Sequence, residues 1–137
     1  RSYDEHPISY WMTCHMSFFE AVAACFSKYA TFSGRSSRAE FWWFALFNIL
    51  AALMLLNLVA SFAGAVAAQN VVVVYNLAIL VPTLAVGARR LHDMGHSGWW
   101  QVLHITGIGS VILFFWMMFA GNPDANRFGE PVVSQDS

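Results

Sequence analysis

Apolar positions in this chain gather into long blocks, with the polar residues confined to the joints between them. Three blocks, 41–66, 71–88 and 99–120, contain no Asp, Glu, Lys or Arg. Each approaches or exceeds the ~20 residues that a helix needs to cross a hydrocarbon core roughly 30 Å thick. None alternates with period two, and lipid offers backbone groups no partner outside a helix or a closed sheet. The pattern therefore predicts an all-α membrane protein with about three transmembrane helices. Ahead of them, "MSFFEAVAACFSKYATF" places Phe18, Phe19, Val22, Phe26 and Tyr29 on one side of a helical wheel, away from Glu20 and Lys28. That is an amphipathic helix lying in the interface, and the Ser17 to Glu20 spacing is that of a capping box at its start. A second such spacing, Ser37 to Glu40, opens the first span after Gly34 turns the chain.

Composition agrees with a membrane setting. Charged residues make up 11% of the chain, against about a quarter in soluble domains, and 58% of residues are hydrophobic. A net charge of −1 leaves no basic stripe for nucleic acid. Cys14 and Cys25 have no metal-like spacing and read as free thiols. Lys28, Arg35 and Arg38 precede the first span and Arg89 and Arg90 follow the second, while the 67–70 loop has no basic residue. The positive-inside rule then puts the N-terminus in the cytoplasm, and three crossings put the tail from Gly121 on the opposite side, against the charge of Arg127. Trp42/Trp43 and Trp99/Trp100 fall at the same cytoplasmic interface, where an indole suits both lipid and headgroups.

Within the blocks, "AVAAQN" reads as a short uncharged loop closing a helix pair, and Pro82 predicts a kink in the second span. Gly107 and Gly109 near the middle of the third permit close helix approach or a break, a re-entrant segment being the weaker alternative. Asn48, Asn57 and Asn76 read as interhelical hydrogen-bonding residues.

Candidate chemistry concentrates in "RRLHDMGHSGWW". Arg89, His92 and Asp93 share a helix face, so Asp93 is placed to pair with Arg89 while the arginines snorkel to phosphate headgroups. His92 and His96 imitate a zinc helix, but Gly95 and Gly98 disfavour a continuous helix and no third ligand is near, so no metal is expected. His104, a turn into the third span, reads as a helix-to-helix bonding residue, with haem or chlorophyll ligation as the alternative. In "GNPDANRFGEP", Asp124 suits an Asx-type turn presenting Arg127 and Phe128, too poor in acids for calcium.

Three stretches, "FSGRSSRAEFWWF", "ARRLHDMGHSGWW" and "GNPDANRFGEP", together resemble the bacterial inner-membrane proteins grouped as domain of unknown function 805, the YhaH type, over roughly 16–131. The resemblance implies a small multi-pass protein of the bacterial inner membrane, with no established activity to carry over. It singles out Arg35, Arg38, Glu40, Trp42 and Trp43, then Arg89, Arg90, His92, Asp93, Ser97, Trp99 and Trp100, then Asn126 and Arg127, as motif or interface positions. It also makes Met16 the natural start, leaving 1–15 as an extension or arm before the interfacial helix (16–34), the transmembrane domain (35–120) and a structured tail (121–137).

The expected function is non-catalytic: an accessory or assembly subunit of a larger membrane complex, in contact with the lipid bilayer and other membrane subunits. No nucleophile with a base, carboxylate pair within a span or phosphate-binding glycine loop appears. A small homo-oligomeric transporter or lipid-handling protein, with Arg89, Arg90, His92 and Asp93 at its mouth, is the alternative.

Overall fold

The computed structural model describes residues 16–132; the arm expected at 1–15, Cys14 included, and the last five residues of the tail lie outside them. Among the described residues the chain is helical, with one isolated bridge between Asn126 and Gly129 in place of any strand. Helix α1 is Phe18–Ser27, α2 is Arg38–Asp93, a 3-10 helix covers Gly98–Ile105, and α3 is Gly107–Met118.

The Ser17 box forms in full: the Ser17 hydroxyl accepts from the Glu20 amide, and the Ser17 amide donates to the Glu20 carboxylate at 2.8 Å. Of the apolar face, Phe18 and Phe26 pack edge-on against Trp43, Phe44 and Phe47 of α2. Ala21 and Cys25 are fully buried whereas Phe19 is 80% exposed, because small side chains let the helix approach α2 closely.

A straight helix of 56 residues would extend about 84 Å. It does not stay straight. Gly64 (φ 85°, ψ 166°) occupies a region that is open essentially to glycine alone, and the chain reverses there. The two arms, 38–63 and 65–93, lie antiparallel, each about 40 Å long. Tyr75 Oη donates to Asn48 Oδ1 at 3.0 Å, Phe44 shares a core with Ile79 and Val86, and Glu40 meets Arg89 at the open end. The reversal thus precedes the loop expected at 67–70, which is helical and holds the fully buried Ala68. Of the asparagines, Asn48 bonds across the arms, while Asn57 donates to Leu53 O in its own helix.

Backbone dihedrals stay helical through Pro82, and the non-helical position within α2 is Gly64. Pro82 has no amide for the carbonyl four residues earlier, Ala78 O. The Tyr29 hydroxyl donates to that same carbonyl, replacing the missing partner.

The third apolar block is not one helix. Thr106, extended at φ −97° and ψ 131°, separates the 3-10 helix from α3, whose 12 residues reach only about 18 Å. Gln101 Nε2 donates to Leu84 O at 3.0 Å, so the 3-10 helix runs back along the second arm, and α3 returns to the open end, where Arg90 and Arg38 cap its last carbonyls. The segment turns back on itself at Thr106. Consequently the tail sits beside Arg35 and Asp93, not at the opposite end as three crossings required. The turn closes its own polar groups: Thr106 Oγ1 donates to Leu103 O and accepts from Gly109 N, and Ser110 Oγ donates to His104 O. A Cβ on Gly109 would lie 2.2 Å from Leu103 O, so glycine is needed there.

Candidate functional site

The open end of the hairpin holds five charged side chains withdrawn from solvent: Arg35, Glu40, Arg89, Arg90 and Asp93. They form two groups. Asp93, at the C-terminus of α2, receives Arg35 at 2.7 Å on Oδ1 and Arg90 at 2.6 Å on Oδ2, so one carboxylate joins the loop before α2 to its end. The remaining Arg35 donors reach the tail, with Nη1 donating to Asp124 O at 2.9 Å and Nη2 to Asn122 O at 2.5 Å. Asn122 N donates in turn to Asp93 O at 2.8 Å, and a Cβ on Gly121 would stand 1.8 Å from Asp93 Oδ2. Only glycine lets the tail close over the carboxylate.

The second group joins Glu40 of the first arm to Arg89 of the second at 2.6 Å, with the Cys25 thiol of α1 donating to the same carboxylate at 3.7 Å. Burial, followed by the Glu40 charge, pushes the Cys25 thiol up to about 12. A thiol held protonated in this way is a poor nucleophile. Arg89 Nε and Nη2 have no hydrogen-bond partner among the described residues. Since an unmet buried donor carries a desolvation cost, Glu40 is the essential counterion here.

Several sequence expectations change in this geometry. Arg89 pairs with Glu40 and not with Asp93, whose partners are Arg90 and Arg35, because the two adjacent arginines leave the helix toward different neighbours. Neither snorkels: Arg89 is 1% and Arg90 0% exposed. Ser37 does cap α2, accepting from Glu40 N at 3.1 Å, but the Glu40 carboxylate is committed to Arg89 and leaves the box half made. The Asx-type turn forms on Asn126, whose Oδ1 accepts from Phe128 N at 2.9 Å, rather than on Asp124.

His92 stands beside this cluster. Its Nδ1 lies 3.0 Å from Gly34 O, and since a carbonyl only accepts, Nδ1 carries the proton and Nε2 is an acceptor. Burial moves its pKa below the ordinary histidine value, and nearby Arg127 adds to that shift. The ring stacks on Phe128 with centroids 4.0 Å apart, Arg127 lies 4.6 Å over Phe128, and Asn126 Nδ2 donates to His92 O. His96 turns instead toward Trp116 and Met94 O. Ser97 caps the 3-10 helix. Trp42 packs on Phe114 and Trp43 on Phe18, Trp100 meets Trp116, and Trp99 is exposed. His104 lies well away, bonded through Nδ1 to Ser110 Oγ in the turn between the 3-10 helix and α3.

Sequence reasoning missed Gly121 and Asn122 in the tail, Gln101, and the Tyr29 contribution at Pro82. Proline at 82 was the available signal, since its orphaned carbonyl requires a donor from elsewhere. The arrangement as a whole is a clasp: it ties both ends of the hairpin, the end of α3 and the tail to a pair of buried carboxylates.

A family described as "Protein of unknown function (DUF805)" matches residues 29–130, which include every ion pair of the clasp. Inner membrane protein YhaH of Escherichia coli (strain K12) is 36% identical over 105 residues, covering 74% of this chain and 87% of that protein. Inner membrane protein YhaI of the same strain is 34% identical over 103 residues, covering 74% and 86%. Uncharacterized protein YiiR, again of that strain, is 35% identical over 97 residues but only 56% of its length is covered. No solved structure matches.

Proposed function

The chain belongs to the DUF805 family, and from that premise we propose that it is a non-catalytic, multi-pass protein of the bacterial inner membrane that serves as an accessory or assembly subunit of a larger complex. One observation carries the reading. The buried ionic side chains engage one another and the tail, whereas the arms of the hairpin present apolar side chains outward, among them Met54, Leu58, Phe62, Val66, Val74 and Leu77. Such a surface demands lipid or other apolar helices as its surroundings.

In this reading the two arms cross the bilayer and the 3-10 helix with α3 enters and leaves from one side. The N-terminus and the tail then both face the cytoplasm. The placement of Arg35, Arg38, Arg89, Arg90 and Arg127 at one end fits the positive-inside rule and removes the conflict that Arg127 posed for three crossings. No resident cofactor is part of the reading, in which His104 serves the turn.

Native mass spectrometry of the protein extracted from its own membranes in mild detergent tests the role. Other subunits at fixed stoichiometry are the expected result, and a partner-free homo-oligomer would overturn it in favour of transport or lipid handling. Topology is read separately, by labelling single cysteines at Ser33, Gln69 and Glu130 in whole cells of a Cys14→Ser/Cys25→Ser chain. Labelling from outside is expected at Gln69 alone.

A further inference from the structure

A groove of about 630 Å³ opens between the second arm, the 3-10 helix and the loop at Phe32. Phe32, Leu84, Ala88, Val102 and Ile105 form its apolar wall, and His92 and Ser97 lie at the end nearest the clasp. We propose that this groove holds one acyl chain of a phospholipid from the surrounding leaflet, with the lipid phosphate beside Arg127 and His92.

Three features select this occupant. The polar and apolar residues follow the order of an amphiphile, from the interfacial end inward. The eight residues of the 3-10 helix rise about 16 Å, which matches one leaflet of a hydrocarbon core roughly 30 Å thick. A cation stands near this end: Arg127 does not line the groove, but it is exposed and lies over Phe128, which stacks on the groove residue His92, while the His92 Nε2 borders Gly98 and is free to accept from a headgroup donor. The side chains deeper in the groove are already engaged, Gln101 with Leu84 O and His104 with Ser110, and leave that part to hydrocarbon. A protein or peptide occupant would bring backbone polar groups into a wall that offers them few partners.

The inference rests on the membrane placement proposed above, which carbonate extraction checks independently. The test is native mass spectrometry of the full chain, with 1-palmitoyl-2-oleoyl-phosphatidylglycerol added at fixed excess. Wild type is expected to retain one phospholipid per chain. Val102→Trp, which fills the groove, lowers that occupancy at least tenfold, and Ile105→Trp repeats the test should the first variant fail to insert. Arg127→Ala lowers it several-fold, and Leu53→Trp, on the outer face of the first arm, leaves it unchanged. A wild-type chain that retains no phospholipid, that retains a quinone instead, or that binds as much lipid with the groove filled overturns the assignment. Protein partners appear as separate masses, so this result and the subunit result are read independently.

Discussion

Replacing Asp93 by Asn removes a charge without changing volume, and therefore isolates the electrostatic part of the clasp. Arg35 and Arg90 then face each other across a neutral amide in a site that is 6% exposed at residue 93. Breaking a buried pair from one side costs about 3–5 kcal/mol, since the remaining charge stays buried. The lower end applies here, because Arg35 keeps the carbonyls of Asn122 and Asp124, and Arg90 keeps Met117 O and Phe119 O. A loss of about 3 kcal/mol is roughly a hundredfold in the folding equilibrium. Reversible unfolding in mixed detergent micelles, followed by far-ultraviolet circular dichroism, measures it. Glu130→Gln, at an exposed position, serves as the control and changes the equilibrium by less than about twofold. In an Arg35→Met background the Asp93→Asn cost falls by about 1–3 kcal/mol, the coupling expected of residues in direct contact. An Asp93→Asn protein within tenfold of wild type, or a null coupling, refutes the clasp.

Three further outcomes follow from particular residues. His92 lies beyond the apolar part of its arm and has a lowered pKa, so its packing on Phe128 is fully stabilising above the unfolded value near 6.5 and is lost as pH falls through the lower folded value; hydrogen exchange at residues 126–129 speeds up on acidification, and His92→Phe removes the dependence. With the Cys25 thiol at about 12, roughly one part in ten thousand is thiolate at pH 8, so in a Cys14→Ser chain maleimide labels the folded protein far more slowly than the denatured one, and comparable rates refute the burial. Gly109→Ala separates two effects of opposite sign: helix propensity alone stabilises by about 1 kcal/mol, whereas the contact with Leu103 O destabilises by about 1–3 kcal/mol, and a net loss in the same unfolding assay is expected.

Much of this protein is legible one residue at a time. Hydropathy alone locates the apolar blocks, because burial in lipid depends on the composition of a stretch and not on its neighbours in space. The Ser17 and Ser37 caps follow from local hydrogen bonding between residues three apart. The charge cluster at 89–93 and the motif positions at 35–43 are visible too, but which arginine meets which acid is not. Arg89 reaches Glu40 and Arg35 reaches Asp93 across 49 and 58 residues, and only the antiparallel return of α2 brings those pairs together. The break at Thr106 had a signal in Gly107 and Gly109, yet a glycine permits a turn without requiring one. What settles it is tertiary: Leu103 O needs Gly109 against it, Gln101 needs Leu84 O, and the end of α3 needs the arginines of α2. That return of α3, invisible to any count of apolar residues, moves the tail to the side of the clasp and decides which surfaces the chain leaves open.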